Sequence, residues 1–173
     1  GKALSNPVIV HQAPEALALG MRRGPRIAAS DKAIVITAVG RTEPVDRGNS
    51  APKYADTLMS WRSTDGGRTW QGPVAINTVR GSAAEGLQAL AVAPDGTFYS
   101  AWNDNRSQAM EVYGARSTDG GKTWTDETLV YHSPDKAICP CCHPSAAFAA
   151  DGSLFVMWRN HIQGHRALYL PRP

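Results

Sequence analysis

All three cysteines of this 173-residue chain fall within the stretch ICPCCHP at positions 138–144. Cys139, Cys141, Cys142 and the following His143 bring soft thiolates and an imidazole together, which suits Cu(I) or Zn(II). The same letters contain C-x-x-C-H, the attachment signature of c-type haem. A third interpretation is a Cys139–Cys142 disulfide that tightens a loop, since bridging the adjacent Cys141 and Cys142 would strain the backbone. The residues alone leave all three alternatives open.

The segments around this cluster are repeated along the chain. RSTDGGRTW at 62–70 returns as RSTDGGKTW at 116–124, and APDGTFYSAW at 93–102 aligns with AADGSLFVMW at 149–158. ASDKAIVITAV at 29–39 is a fainter copy of the second segment. Each copy combines a turn with apolar strands and lacks long helical periodicity. Groups of about four strands, repeating about every 40 to 60 residues, are typical of a β-propeller.

We therefore predict an all-β fold with about three four-stranded propeller blades. The chain, 1–173, would form a single partial propeller domain with repeats at roughly 24–80, 81–135 and 136–173. The cysteine cluster directly precedes the innermost strand of the third repeat. It is therefore predicted to lie at the propeller mouth, near the central channel where ligands bind.

The repeated nine-residue phrase has a mechanical explanation. Its Asp carboxylates can accept hydrogen bonds from the turn backbone, its Gly pairs supply positive φ, and its Trp rings offer apolar surface. The pattern S-x-D-x-G-x-T-W resembles the Asp box of the sialidase (neuraminidase) superfamily. The matching residues are Ser63, Asp65, Gly67, Thr69, Trp70, Ser117, Asp119, Gly121, Thr123 and Trp124.

The resemblance implies a sialidase-type propeller with six blades, of which this chain would supply the N-terminal half. A three-blade arc leaves open sheet faces and unpaired strand edges that need covering. We expect the missing blades to come from a C-terminal half, a second chain or a homodimer.

The resemblance also implies an acidic-glycan site at the propeller mouth. Arg26, followed by Ile27, matches the Arg-Ile-Pro motif that grips a substrate carboxylate, although Ala28 stands where Pro is expected. Arg41 matches the second Arg of the family pattern and Asp46 its acid/base residue. Guanidinium groups suit this task because they bind carboxylates through paired, charge-assisted hydrogen bonds.

The family further requires a Tyr nucleophile paired with Glu, and two more Arg residues, normally on later blades. Glu85, Glu111, Tyr113 and Tyr169 are present but match no motif. We therefore predict a propeller that binds or hydrolyses an acidic glycan and that is catalytically incomplete as this chain alone. The alternative is a non-catalytic exported propeller that holds a soft metal, Cu or Zn, or, less favoured, c-type haem.

Composition excludes other partners. The net charge is +3, and the Lys and Arg residues are scattered, which does not favour nucleic acid or an anionic membrane surface. No run of apolar residues is long enough to predict a membrane span. The Cys-x-Cys-Cys stretch resembles one found in some bacterial, exported sialidase-like propellers. A periplasmic or secreted location is therefore expected.

Overall fold

The fold is all-β. The structure, a computed structural model, describes residues 6–12, 16–17, 24–45, 53–107, 109–135 and 138–170. No helix occurs in these ranges, which confirms the predicted fold class. The strands are β1 (Ala16–Leu17), β2 (Arg26–Ala29), β3 (Ile34–Val45), β4 (Lys53–Ser63), β5 (Gln71–Ala75), β6 (Ala83–Val92), β7 (Phe98–Asp104), β8 (Glu111–Ser117), β9 (Thr128–Tyr131), β10 (Ser145–Phe148), β11 (Leu154–Ile162) and β12 (His165–Tyr169).

Three antiparallel sheets follow one another along the chain. The first has the order β2-β3-β4-β5, and β1 also pairs with β3. The second has the order β6-β7-β8-β9, and the third β10-β11-β12. Strand β6 contacts both β2 and β10, so the first strands of the sheets lie side by side. This is how propeller blades are arranged around a common axis.

The first strand of each blade begins at one end of the molecule, which we call the entry end. Arg26 opens β2, Ala83 opens β6 and Ser145 opens β10. Because neighbouring strands are antiparallel, the second strand of each blade finishes at this end and the third begins there. Side chains far apart in the sequence can therefore meet at the entry end.

Apolar layers between neighbouring blades hold the sheets together. Trp102 and Trp158 occupy equivalent positions in the repeat, and each is buried in one layer. The layer between the first two blades contains Val39, Leu58, Ile76, Ala83, Trp102 and Ala115. The layer between the second and third blades contains Tyr99, Ala101, Val112, Ile138, Val156 and Trp158. Removing this surface from water is the main favourable term in blade packing.

The two repeated phrases form turns with the same hydrogen bonds. In the first, the Asp65 carboxylate accepts hydrogen bonds from Ser63 Oγ at 2.8 Å, Arg68 N at 3.0 Å and Thr69 Oγ1 at 2.6 Å. The backbone N–H of Gly67, at φ 86°, donates to Ser63 Oγ at 2.8 Å. Each contact lies within the phrase itself, so the phrase determines its own turn.

The second turn repeats this arrangement and adds a contact between blades. Asp119 accepts from Ser117 Oγ at 2.9 Å, Lys122 N at 3.0 Å and Thr123 Oγ1 at 2.6 Å. Trp124 Nε1 donates to Ser60 Oγ of the first blade at 2.9 Å. The second phrase therefore helps to join two blades.

Asp119 is expected to stabilise the fold in a pH-dependent way. Partial burial raises the pKa of Asp119, but hydrogen bonds from Thr123 and Ser117 outweigh it and lower the pKa to about 2. A carboxylate with a lowered pKa stabilises the folded state above its unfolded pKa of about 3.9, and that contribution is lost as the pH falls towards the folded value. Asp119→Asn should therefore lower the melting temperature by several degrees at pH 7 and by much less near pH 2.

Thermal unfolding followed by circular dichroism between pH 7 and pH 2 measures this difference. Asp126→Asn is the matched control, since Asp126 is exposed in the segment that follows the turn. A difference between the wild type and Asp119→Asn that stays constant with pH would contradict the prediction.

Candidate functional site

The first and third blades meet at the entry end through Arg26 and His143. Arg26 is the first residue of β2, and His143 lies two residues before β10. Arg26 Nη2 lies 3.0 Å from His143 Nδ1, and both side chains are half-buried. The Arg predicted to bind a carboxylate and the His predicted to bind a metal are therefore direct neighbours.

The structure describes only part of Arg41 and nothing of Asp46, the other two residues predicted for the glycan site. Arg41 lies on β3, where its backbone pairs with Asp56 of β4 and Ala16 of β1, but its side chain is outside the described part. Asp46 lies outside the described residues. Their roles stay predictions.

The three cysteines form a compact cluster of thiols that are not joined by disulfide bonds. Cys139 Sγ lies 3.1 Å from Cys142 Sγ and 3.3 Å from Cys141 Sγ, and all three Sγ atoms lie within 4.8 Å of one another. Cys139 is buried, Cys142 is half-buried and Cys141 is exposed. One side of the cluster therefore faces solvent, while the other lies against the blades.

Hydrogen bonds to its backbone hold the cysteine loop in place from two blades. Cys139 N donates to the carbonyl oxygen of Arg159 at 2.9 Å, next to a β-bridge between Ile138 and Asn160 of β11. On the other side, Asn103 Nδ2 at the end of β7 donates to the carbonyl oxygen of Cys142 at 3.0 Å. Because both anchors belong to strands, the positions of the thiols follow from blade packing.

The Arg159 guanidinium lies beside the buried thiol. Its Nη2 donates to Cys139 Sγ at 3.0 Å and to Cys141 Sγ at 3.9 Å. Burial raises the pKa of Cys139, but hydrogen bonds with Cys142 and Arg159 outweigh it and lower the pKa to about 6. Burial and the neighbouring Cys139 raise the pKa of Cys142 to about 11. Of these two thiols, Cys139 is therefore the one that loses its proton more readily.

The predicted metal-ligand set is only partly brought together. Among the described residues, the mutually close ligand atoms are the thiols of Cys139, Cys141 and Cys142, and His143 is not one of this group. Instead, His143 has Arg26 at its Nδ1 atom. The structure thus groups the thiols as the sequence predicts and directs the imidazole towards the first blade.

The Glu and Tyr residues without a motif have structural partners. Glu111, buried at the start of β8, pairs with His132 Nδ1. The ring of Tyr113 lies 4.0 Å below the Arg106 guanidinium. Tyr169 stacks with Trp158 at a centroid distance of 6.4 Å. Glu111, Tyr113 and Tyr169 thus each have a structural partner, and the side chain of Glu85 lies outside the described part of the chain.

Sequence reasoning missed Asn103 and Arg159, which hold the cysteine loop. Both directly follow the repeated Trp, in WND at 102–104 and in WRN at 158–160. That shared position was a usable signal, because equivalent positions of neighbouring blades lie at the same end of the sheets. Which neighbour each side chain contacts depends on how the blades pack.

No helix in the described ranges is long and apolar enough to span a membrane.

Comparison with known proteins supports the fold. No family model matches the chain, and no curated protein matches it. A solved structure of a Hadza microbial sialidase, Hz136, resembles 86% of this chain at 17% identity with a TM-score of 0.56. An alpha-L-arabinanase of Penicillium chrysogenum, complexed with arabinobiose, resembles 84% of this chain at 12% identity with a TM-score of 0.45.

The likeness to the sialidase concerns the fold alone. The chain spans 34% of the sialidase and 41% of the arabinanase. The structural similarity to the arabinanase is weaker, as its lower TM-score shows. Three antiparallel blades and the likeness to Hz136 lead to one conclusion: the described part of this chain has a sialidase-like β-propeller fold.

Proposed function

We propose that the entry end is the mouth of a sialidase-like propeller and that it binds the carboxylate of an acidic glycan. The observation that carries this proposal is the contact between Arg26 and His143, with Nη2 and Nδ1 3.0 Å apart. The contact brings a guanidinium from the first blade and an imidazole from the third together at the entry end. A ligand at that point can contact several blades at once.

The chemistry of the two side chains fits an anionic ligand. The guanidinium carries a permanent charge and five N–H donors in a planar fork, so its contacts with His143 and with the carbonyl oxygen of Pro25 leave donors for a carboxylate. When neutral, His143 accepts the hydrogen bond from Arg26 at Nδ1 and carries its own proton on Nε2. Arg26 is half-buried, and partial exclusion of water strengthens its attraction for an anion.

In this proposal Arg41 supplies a second cation and Asp46 the acid/base group. The remaining catalytic groups, a Tyr–Glu pair and two further Arg residues, would come from blades beyond the three described. A C-terminal half, a second chain or a homodimer would supply those blades. The chain would then be the N-terminal half of a periplasmic or secreted propeller, with the two repeated turns as its Asp boxes.

A matched pair of ligands tests carboxylate recognition. We expect the protein to bind sialyllactose more tightly than lactose, its neutral counterpart, in isothermal titration calorimetry. Arg26→Met should weaken sialyllactose binding by about tenfold or more, because a hydrogen bond to a charged group contributes about 1.5–3 kcal/mol.

The control for Arg26→Met is Arg68→Met, which removes an exposed Arg from the turn at the opposite end of the sheets. It should bind sialyllactose as the wild type does. Equal affinities for sialyllactose and lactose, or unchanged binding by Arg26→Met, would overturn the proposal.

A second candidate function is supported by the thiol cluster. Three Sγ atoms within 4.8 Å of one another fit a soft metal ion such as Cu or Zn. Native mass spectrometry of the reduced protein, followed by denaturing mass spectrometry, tests it. A bound ion that is lost on denaturation supports the metal site, whereas a haem mass that survives supports covalent attachment. A mass lower by two hydrogens would indicate a disulfide and contradict both.

A further inference from the structure

We propose that Cys139, Cys141 and Cys142 bind one monovalent soft metal ion, of the class of Cu(I), and that Arg159 compensates the negative charge of the three thiolates. This inference rests on the soft-metal candidate described above. It adds the coordination number, the charge of the ion and a positioning residue outside the ICPCCHP stretch.

The spacing of the sulfur atoms suits a single central ion. Cys139 Sγ lies 3.1 and 3.3 Å from the other two sulfurs, and all three lie within 4.8 Å of one another. An ion bound at about 2.3 Å from each of three coplanar sulfurs would hold them about 4 Å apart. Small side-chain movements, without rearrangement of the loop, therefore convert the cluster into a three-coordinate site.

The number of ligands favours a monovalent copper-like ion over zinc. In the part of the chain that the structure describes, no fourth Cys, His, Asp or Glu joins the group. Structural Zn(II) sites are almost always four-coordinate, and catalytic ones add a water or substrate to protein ligands that are mainly His or carboxylate. Soft Cu(I) prefers a ligand set made only of thiolates.

The loop that carries the thiols is already held in place. Cys139 N is bonded to the carbonyl oxygen of Arg159, and Asn103 Nδ2 to the carbonyl oxygen of Cys142. Cys142 N also donates to the carbonyl oxygen of Cys139 at 3.4 Å, which closes the loop on itself. Little ordering entropy remains to be lost on binding, and the exposed Cys141 provides the entry point for the ion.

Charge explains the position of Arg159. Three thiolates around a monovalent ion leave a net negative charge, which is costly beside the buried Cys139 unless a cation lies close. Arg159 Nη2 lies 3.0 Å from Cys139 Sγ and 3.9 Å from Cys141 Sγ. Its Nε atom is buried and has no hydrogen-bond partner among the described residues, and the contacts of Nη2 with the two thiols hold the guanidinium beside the cluster.

Competition experiments on the full chain under anaerobic, reducing conditions test the site. Cu(I) is titrated against the chelator bathocuproine disulfonate, and Zn(II) against a chromophoric zinc chelator. We expect one Cu(I) per chain, bound in strong preference to Zn(II). Cys141→Ser should abolish tight Cu(I) binding without unfolding the protein, because Cys141 is exposed.

Arg159 variants separate charge compensation from a purely structural role. Arg159→Met should weaken Cu(I) binding by about tenfold while one ion per chain still binds, since removing an adjacent opposite charge costs on the order of 1 kcal/mol or more. Arg159→Lys keeps the charge and should restore most of the affinity. Arg68→Met, at the opposite end of the sheets, should bind as the wild type does. Circular dichroism confirms that each variant is folded.

The outcomes separate this inference from the candidate function on which it rests. If neither Cu(I) nor Zn(II) binds, both the metal candidate and the inference fail. If Zn(II) binds in preference to Cu(I), the metal candidate stands and the inference of a monovalent ion is wrong. Unchanged Cu(I) affinity in Arg159→Met, or no recovery in Arg159→Lys, would remove Arg159 from the site.

Discussion

Replacing Asp104 with Ala is expected to lower the free energy of unfolding by about 3–5 kcal/mol, the usual cost of removing one partner of a buried ion pair. Asp104 lies at the end of β7 and is fully buried. Its carboxylate accepts hydrogen bonds from Trp102 Nε1 at 2.9 Å, Ser82 Oγ at 2.7 Å and Arg106 Nη2 at 2.8 Å. It also accepts from Arg106 N and Arg106 Nε, each at 2.9 Å, so the substitution leaves five donor atoms without this acceptor.

The surrounding contacts limit how far the site can adapt. Arg106 keeps a second partner, Glu127, at 2.6 Å, so its charge is not left wholly unpaired. Ser82 belongs to the connection between the first and second blades. Losing its hydrogen bond to Asp104 weakens that connection. Urea unfolding of the variant and of Asp126→Ala, an exposed Asp control, measures the effect. A loss below about 1 kcal/mol would show that Asp104 contributes only as much as an ordinary hydrogen bond.

Replacing Trp102 with Ala should also cost about 3–5 kcal/mol, through a cavity between the first two blades. Trp102 is fully buried, with 0% of its surface accessible, and belongs to the same apolar layer as Leu58 and Ile76. Removing the indole takes away both its apolar surface and the hydrogen bond from Nε1 to Asp104.

Phe substitutions separate these two contributions. Trp102→Phe keeps most of the apolar surface but loses the hydrogen bond to Asp104. Trp158 occupies the equivalent position in the third blade, and its Nε1 is buried without a hydrogen-bond partner among the described residues. Trp102→Phe should therefore destabilise more than Trp158→Phe in urea unfolding; equal losses would contradict this. The double variant Trp102→Phe, Asp104→Ala should be less destabilised than the sum of the single variants, because both remove the same hydrogen bond.

These stability effects bear on the candidate site. Asn103 lies between Trp102 and Asp104 and donates to the carbonyl oxygen of Cys142. A strand end that loosens at Asp104 would also release one anchor of the cysteine loop. We therefore attribute the position of the thiols to the buried contacts on either side of Asn103 as much as to the loop itself.

The sequence by itself determined the fold class and the repeated turns. Both turns close through hydrogen bonds within the phrases, such as those from Thr69 and Thr123 to the Asp of the same phrase. The apolar strands and their spacing could also be read from local sequence. Three blades could be predicted for the same reason: from β2 onwards, consecutive strands within each blade pair with one another.

Only the tertiary structure decided which side chains meet at the entry end. Arg26 and His143 are 117 residues apart and belong to different blades, so no local pattern could pair them. Adjacency in the sequence suggested that His143 would join the thiols, yet the chain directs it to Arg26 while Arg159, from β11, approaches Cys139. Strand direction and blade packing determine where each side chain points, and these depend on contacts between segments that are remote in the sequence.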